Sequence, residues 1–285
     1  MGTMTEFFET SWVTLVKAAT GLILPGLFFL ILAILVKGRR WITDIKRALP
    51  ETGLNVQIFM FNIIISIPLT VIAVTWFHGF LDNNGLIVVP AEFWASMPSW
   101  LVIFCAVFIG DFVAYWRHRI EHSPLLWPAH AVHHSDTEMT WLSLERFHPI
   151  NIFTTFVIDG TALLVLGLPP FALVANNIVR HYYGYVIHAD LPWTYGWFGK
   201  IFVSPAMHRW HHAADVRAFD KNYATVFSIF DRFFGTHLVP GPCDVPLGVT
   251  DDMQPNLASQ ILYAFKPRAY RRLFRRIKRY QTPAE

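Results

Sequence analysis

The sequence predicts an all-α integral membrane protein: a bundle of four to five transmembrane helices under a cytosolic, histidine-rich helical cap. Three observations support this prediction. Hydrophobic residues make up 54% of the 285 positions, which is typical of a membrane protein. Several apolar segments are long enough to cross a bilayer. Histidines recur at helical spacing where these segments end. We therefore expect a single membrane-embedded domain over residues 1–285.

The first apolar segments predict transmembrane helices within residues 9–117. One runs from about Ser11 to Val36, a second without any charge from about Asn55 to Phe77, and a third inward from near Pro98. Between the first two lies KGRRWITDIKR, with five basic residues and one acidic residue. Such loops stay in the cytosol, so we expect the N-terminus outside and His118, at the end of the third helix, at the cytoplasmic face.

Residues 150–187 predict a helical hairpin. The segment GLPPF at residues 167–171 interrupts this apolar stretch, and two consecutive prolines cannot continue a helix. Eighteen residues of helix, counted from Pro170, rise about 27 Å and bring His188 to the expected depth of His118.

The hairpin carries two charged side chains within the predicted membrane region. Asp159 and Arg180 lie about equally far from the hairpin tip, one on each arm. Charges inside a bilayer usually face protein and form pairs. We expect a structural ion pair between them, although a role in proton transfer or substrate binding is also compatible with the pattern.

Residues 118–149 and 188–240 predict the two regions of the cap. Eight histidines in these regions have helical spacings of three or four, which place imidazoles on one face of a helix: His118, His122, His130, His133, His134, His208, His211 and His212. Imidazole is a frequent ligand of iron, zinc, copper and nickel. A single histidine near a membrane is more often an interfacial residue, but three clustered motifs favour a metal site. The zinc-protease pattern is absent, and Cys105 and Cys243 lie outside the clusters, which argues against a cysteine-type zinc site.

Residues 241–285 predict a cytosolic tail that ends in a basic amphipathic helix. An apolar stripe that includes Tyr270, Leu273 and Ile277 is surrounded by arginines and lysines. This pattern is typical of a helix that lies on an anionic leaflet. Binding to nucleic acid is the alternative interpretation, but no groove-reading module accompanies the patch, so we expect no nucleic-acid partner.

The histidine motifs resemble those of the fatty acid hydroxylase/sterol desaturase superfamily of integral-membrane di-iron enzymes. The segment DFVAYWRHR precedes the first motif, RFHPI follows the second, and NYATVFSIFDRFFGTH closes the pattern. These pieces extend from Asp111 to His237. The resemblance implies a transmembrane helical stalk under a histidine cap that holds two iron ions. It also implies that His188 is a ninth ligand, and that Gly184 leaves out a tenth ligand present in some relatives.

The resemblance further implies an oxygenase that uses O2 and two electrons to hydroxylate a fatty acyl, sterol or isoprenoid lipid; desaturation at the same site is an alternative. No fused electron carrier is recognisable, so we expect a separate electron-donor protein. Zinc could replace iron in a purified sample. A zinc-dependent membrane hydrolase at the same histidines and a metal transporter are competing hypotheses; the transporter predicts ligands deep in the membrane rather than at one edge.

Ligating histidines usually donate their second ring N–H to a neighbouring acceptor. Four residues are candidates for this role: Asp111, Glu145, Asn222 and Asp231. His181 lies two helical turns before His188 and is expected to support the ligands or line a substrate pocket. We expect structural roles for His148 and His237.

Overall fold

The computed structural model describes the backbone of residues 4–271 and the side chains of residues 13–271. The predicted basic helix lies largely after residue 271, outside the described residues. All regular structure in the described part is helical, which confirms the all-α fold class, although three rather than four to five of the described segments are long and apolar enough to cross a membrane. The α-helices are α1 (Met4–Gly21), α2 (Ile23–Lys37), α3 (Arg40–Phe61), α4 (Ile67–Asn83), α5 (Ala91–Ala95), α6 (Ser99–Glu121), α7 (Trp127–His134), α8 (Pro149–Thr154), α9 (Thr161–Val165), α10 (Pro170–His188), α11 (Pro205–His211), α12 (Ile229–Phe233) and α13 (Leu257–Tyr263).

Three helical segments within residues 13–271 are long and apolar enough to cross a membrane. They are Val13–Lys37, Arg40–Asn83 and Ser99–Glu121. The second joins α3 to α4 through a π-helical turn at Asn62–Ser66 and is 44 residues long. It therefore begins well before the predicted start near Asn55. Each segment coincides with one of the three predicted transmembrane helices, which supports a membrane location.

The hairpin forms around the predicted break. Its first arm, Pro149–Val165, contains a π-helical turn and is shorter than the three spanning segments. The chain turns at Gly167, whose φ of +64° favours glycine, and α10 then begins at Pro170. Helix α10 packs closely on α6, because a Cβ atom at Gly110 would lie 2.3 Å from the amide oxygen of Asn176. This packing places the end of α10 beside the end of α6.

Buried charges connect the hairpin to α6. Arg180 donates a hydrogen bond to Asp159 at 3.0 Å, which confirms the predicted ion pair. Arg117 on α6 shares the same carboxylate at 2.9 Å and also binds Glu121 at 2.8 Å. The predicted pair is therefore one half of a larger network. Each charge in it faces an opposite charge, as burial in a membrane protein requires.

Helix α3 continues from the spanning region into the cap. Asn55 donates a hydrogen bond to Asp136 at 2.8 Å. Arg146, which is 1% exposed, donates to Glu51 at 2.5 Å and to Asn55 at 3.2 Å. Because these groups are buried, the bonds fix the cap on the end of a membrane helix. The cap is thus a direct extension of the bundle.

Candidate metal centre

Nine histidine side chains converge where α6 and α10 end. They form two groups, and within each group the possible ligand nitrogens lie within 4.8 Å of one another. The five-histidine group consists of His118, His122, His130, His134 and His211. The four-histidine group consists of His133, His188, His208 and His212. These are the nine predicted ligand candidates, and the fold brings all of them together.

Short helices of the cap aim the rings inward. Pro128 occupies the first turn of α7, where the backbone N–H that proline lacks would have no partner within the helix. Ser204 caps α11, accepting a hydrogen bond from the backbone N–H of Met207 at 3.2 Å. Both helices bear histidines at spacings of three and four, so each sends rings into both groups. The two groups are therefore adjacent and share their supporting helices.

The rings approach one another edge to edge through their Nε2 atoms. Six such pairs are separated by 3.0–3.2 Å: His118–His130, His130–His134, His118–His211, His133–His188, His188–His208 and His208–His212. Nitrogens from different rings thus point at common centres.

The hydrogen bonds of His118 and His211 indicate which kind of ligand these centres require. The Nδ1 atom of His118 lies 2.7 Å from the carbonyl oxygen of Tyr223, and that of His211 lies 2.6 Å from the carbonyl oxygen of Lys221. A carbonyl only accepts, so each Nδ1 carries the proton of its neutral ring. Both Nε2 atoms then expose a lone pair, although they are 3.0 Å apart. Two facing lone pairs repel, and a cation between them removes the conflict, so this donor set fits a metal ion.

His188 is oriented in the same way. Its Nδ1 atom donates to the carbonyl oxygen of Gly184 at 2.7 Å, one helical turn earlier. A Cβ atom at Gly184 would lie 2.9 Å from both terminal methyl groups of Leu144. Leucine therefore occupies the space that a side chain at position 184 would need, which gives a packing reason for the missing tenth histidine.

Burial keeps these imidazoles neutral. Desolvation, with a further contribution from neighbouring histidines, lowers the pKa of the cap histidines well below the usual value: His130, His133, His134, His208, His211 and His212. Metal ions bind the neutral form of imidazole. The site is therefore in a metal-binding protonation state at neutral pH.

The four residues predicted to accept ring N–H groups form other contacts. Asp111 accepts backbone N–H groups of Thr225, Val226 and Phe227 at 2.8–3.2 Å. Asp231 accepts those of Tyr223 and Ala224 at 2.7 and 2.9 Å. The prediction was wrong about direct contact, because buried backbone amides near these carboxylates require acceptors of their own. Both carboxylates instead shape the loop that carries the carbonyl group facing His118.

Asn222 and Glu145 also lie one step away from the rings. Asn222 has a left-handed backbone (φ +61°) and bonds the carbonyl oxygens of Met207 and Leu238 at 2.9 and 2.7 Å. Asn222 lies between Lys221 and Tyr223, so these bonds fix the loop whose carbonyl groups face His118 and His211. Glu145 accepts a hydrogen bond from Tyr185 at 2.6 Å and lies 3.5 Å from His181.

His181 stays outside the centre. Its side chain is 49% exposed and bonds the hydroxyl group of Tyr185 at 2.9 Å. His148 caps α8, and its Nε2 atom lies 2.8 Å from the carbonyl oxygen of Ile261. His237 contacts Arg232 at 3.1 Å. The latter two therefore make structural contacts, as predicted.

The polar neighbours of His130 were not predicted from the sequence. Its Nδ1 atom lies 3.5 Å from a carboxylate oxygen of Glu121 and 3.4 Å from the amide nitrogen of Asn151. Glu121 is fully buried and is held by Arg117 and by Thr154, at 2.8 and 2.5 Å. A signal was present in the sequence: Arg117 and Glu121 are four residues apart at the end of an apolar helix, a spacing that favours an ion pair.

A cleft of 90 Å³ reaches the five-histidine group from the surface of the cap. His122, His134 and His211 line it together with Phe219 and Asp220. The cleft therefore connects the five-histidine group of the candidate metal centre to the surface of the cap.

Comparisons with known proteins agree with this geometry. The family model described as fatty acid hydroxylase matches residues 103–236, which include all nine histidines. The ornithine lipid hydroxylase OlsE of Rhizobium tropici is 28% identical over 61% of this chain and 54% of its own length. The human alkylglycerol monooxygenase is 31% identical over 54% of this chain and 33% of its own length.

A third relative is the Delta(7)-sterol 5(6)-desaturase of Aspergillus fumigatus, 29% identical over 52% of this chain and 52% of its own length. The chain thus spans between about a third and about half of the length of these curated relatives. No solved structure matches. Residues 103–236 of this chain thus match the fatty acid hydroxylase family, in agreement with the superfamily that the histidine motifs resemble.

Proposed function

We propose that this protein is a membrane-bound di-iron oxygenase that hydroxylates a lipid, using O2 and two electrons from a separate donor protein. The observation that carries this proposal is the convergence of nine imidazoles in two adjacent groups at the end of membrane helices. The names of the relatives support the reaction class, because they are lipid hydroxylases, monooxygenases and desaturases.

The five-histidine group would hold one iron ion and the four-histidine group the other. Bound iron would supply an oxidant, made from O2 and two electrons, that is strong enough to attack an unactivated C–H bond. All donors are neutral nitrogens, which suits iron and also permits zinc as a substitute. This assignment is the same as the nine-ligand prediction from the sequence.

The residues around the rings would prepare the site before any ion binds. Backbone carbonyl groups of Tyr223, Lys221 and Gly184 hold three rings in the tautomer that presents Nε2. Asp231 and Asn222 fix the loop that carries two of these carbonyl groups. Burial of most of the rings limits the access of water to them and so limits competing reactions.

We infer the topology from the charges that flank the spanning segments. The stretch around the junction of the first two segments, residues 37–47, carries five basic residues and one acidic residue. Residues 78–98, around the end of the second segment and before the third, include Asp82 and Glu92 but no lysine or arginine. The positive-inside rule then places the N-terminus outside and the histidines in the cytosol. A soluble cytosolic electron carrier could reach a centre in this position.

Desaturation is the second candidate, because one of the three relatives is a sterol desaturase. Hydroxylation and desaturation both begin with removal of a hydrogen atom from the lipid. The difference then depends on where the lipid is held relative to the metal centre, so one experiment can test both candidates.

The test is a comparison of membrane lipids by mass spectrometry between cells with and without the gene. We expect a lipid that gains one oxygen atom, and this product should be absent with His133→Ala. A lipid that instead loses two hydrogen atoms would identify a desaturase. Zinc as the only bound metal after iron-replete expression, together with no consumption of O2 and an unchanged lipid profile, would overturn the proposal in favour of a hydrolase.

A further inference from the structure

A second cavity lies beside the four-histidine group, where α2 meets the cap. It has a volume of 240 Å³. Phe29, Leu30 and Ala33 of α2 line its apolar side. Two further lining residues, Ala189 and Arg209, directly follow His188 and His208 in the chain. The cavity therefore extends from the surface of a membrane helix to the backbone that carries two of the nine histidines.

Six charged side chains line the other side of this cavity, and they form one unbroken series of alternating sign. In order, these residues are Glu138, Arg47, Asp44, Lys37, Asp190 and Arg209. Adjacent members of the series lie within ion-pair distance: 2.7 Å for Glu138–Arg47, 3.8 Å for Arg47–Asp44, 2.8 Å for Asp44–Lys37 and 3.2 Å for Asp190–Arg209, with Lys37 also in contact with Asp190. We call these residues the charge series.

Lys37, at the end of α2, places the charge series at the level of the lipid head groups. Lys37 is the last residue of the first spanning segment, whereas Ala33 lies about one turn earlier and Phe29 about two turns earlier, within that segment. Charged residues at the end of a transmembrane helix lie at the level of the head groups, and the preceding turns lie among acyl chains. The cavity is thus charged at the level of the head groups and apolar at the level of the acyl chains, as a membrane lipid is.

The balance of charge in the cavity restricts which type of head group can bind there. Three cationic and three anionic side chains give the series no net charge. An anionic head group would meet three carboxylates, and a cationic head group would meet three cations. A head group with both signs can place its anion on Arg47 or Arg209 and its ammonium group on Glu138 or Asp190. An uncharged head group would offer no charge to pair with the side chains of the series.

We propose that this cavity binds the zwitterionic head group of a membrane lipid, with the acyl chain lying along α2. The proposal rests on the proposed function, because the lipid held there would be the substrate of the adjacent metal centre. The side chains of the charge series would then select substrates by head group rather than by chain alone.

The experiment measures binding without turnover. The full-length, iron-loaded protein is placed in nanodiscs that contain lipids with brominated acyl chains, which quench tryptophan fluorescence at contact. Trp41 and Trp141 both line the cavity, so the signal lost in the double variant Trp41→Phe/Trp141→Phe reports on it. The probes carry identical chains on a phosphocholine, a phosphoglycerol, a trimethylammonium or an uncharged glycerol head. We expect phosphocholine to bind about fivefold better than each of the others.

Two variants at one ion pair separate binding from a merely structural role. Arg47 and Glu138 are partners at 2.7 Å, and both side chains are partly exposed, at 58% and 30%. If the pair only joins α3 to the cap, Arg47→Gln and Glu138→Gln change binding alike. We expect opposite changes instead: Glu138→Gln shifts the preference towards phosphoglycerol, and Arg47→Gln shifts it towards the trimethylammonium lipid. Arg268→Gln, at an exposed ion pair with Asp252, is the matched control and should change neither.

The outcomes for this inference and for the proposed function are distinguishable. Equal quenching by all four head groups, or identical changes in both variants, would overturn the inference even if the cells make an oxidised lipid. Selective quenching by phosphocholine with opposite shifts in the variants would support it. Selective quenching in nanodiscs, combined with cells that show no oxidised or desaturated lipid, would support lipid binding and contradict the proposed reaction.

Discussion

The Nε2 atoms of His118 and His211 lie 3.0 Å apart, and each belongs to a ring whose Nδ1 proton is donated to a backbone carbonyl group. Neither Nε2 atom has a proton to offer the other. The backbone thus forces two lone pairs together, an arrangement that is unfavourable without a cation. Metal binding and stability of the cap should therefore be coupled.

Removal of one facing ring should reduce the metal content. His211→Ala is expected to leave the five-histidine group unable to retain its ion, so the iron-to-protein ratio should fall by about half or more and the Tm should decrease. Elemental analysis and thermal unfolding in detergent measure both quantities. His181→Ala is the matched control, because this half-exposed histidine lies outside both groups. Equal iron content in the two variants would contradict the assignment.

The stability of the protein should depend on pH. Burial lowers the pKa of His130, His134 and His212 in the folded state, whereas in the unfolded chain histidine titrates near pH ~6.5. Below that value the unfolded state binds more protons than the folded state. The free energy of unfolding is therefore unaffected at higher pH and falls as the pH drops through about 6.5 towards the lowered folded-state values. Thermal unfolding between about pH 8 and pH 5 should show this decrease, and release of iron should accompany it; a Tm that is constant over this interval would refute it.

The buried network around Asp159 should be essential for stability. Arg180→Leu removes one of the two cations that share this carboxylate and also leaves Asp111 without its cation at 3.8 Å. Loss of one partner of a buried pair costs about 3–5 kcal/mol. Thermal unfolding in detergent should show a large decrease in Tm. Arg268→Leu breaks an exposed pair and is expected to cost about 1 kcal/mol or less, so similar effects of the two substitutions would contradict the network's role.

The close contact between Gly184 and Leu144 makes a further prediction. Gly184→Ala places a methyl group 2.9 Å from both terminal carbons of Leu144 and should destabilise the protein by about 1–3 kcal/mol. Leu144→Ala opens this space, so the double variant should be less destabilised than the sum of the single variants. Unfolding measurements on the three variants give this coupling. Additive effects would show that the contact does not limit position 184.

Much of this architecture follows from local patterns. The break at GLPPF and the Asp159–Arg180 pair both appear as predicted, because adjacent residues or equal counts along two helices determine them. The gathering of nine histidines was also predictable, since helical spacing fixes which rings share a face.

The errors concern contacts made at long range in the chain. Asp111 was a candidate acceptor for a ring N–H group of a ligand histidine, but it accepts N–H groups from residues 225–227. Nothing in the local sequence shows that this loop passes there with unsatisfied amides. In the same way, the cavity beside α2 is lined by residues more than a hundred positions apart. No single segment of the sequence therefore predicts its charge series.

Because α3 continues beyond the spanning region into the cap, it determines how this protein can be handled. Glu51 and Asn55 of that helix hold Arg146 and Asp136, and α6 itself supplies His118. A water-soluble fragment that begins after the last spanning segment would lose these partners along with one of the imidazoles. The histidine cluster is thus inseparable from the membrane helices, and purification has to keep the two together.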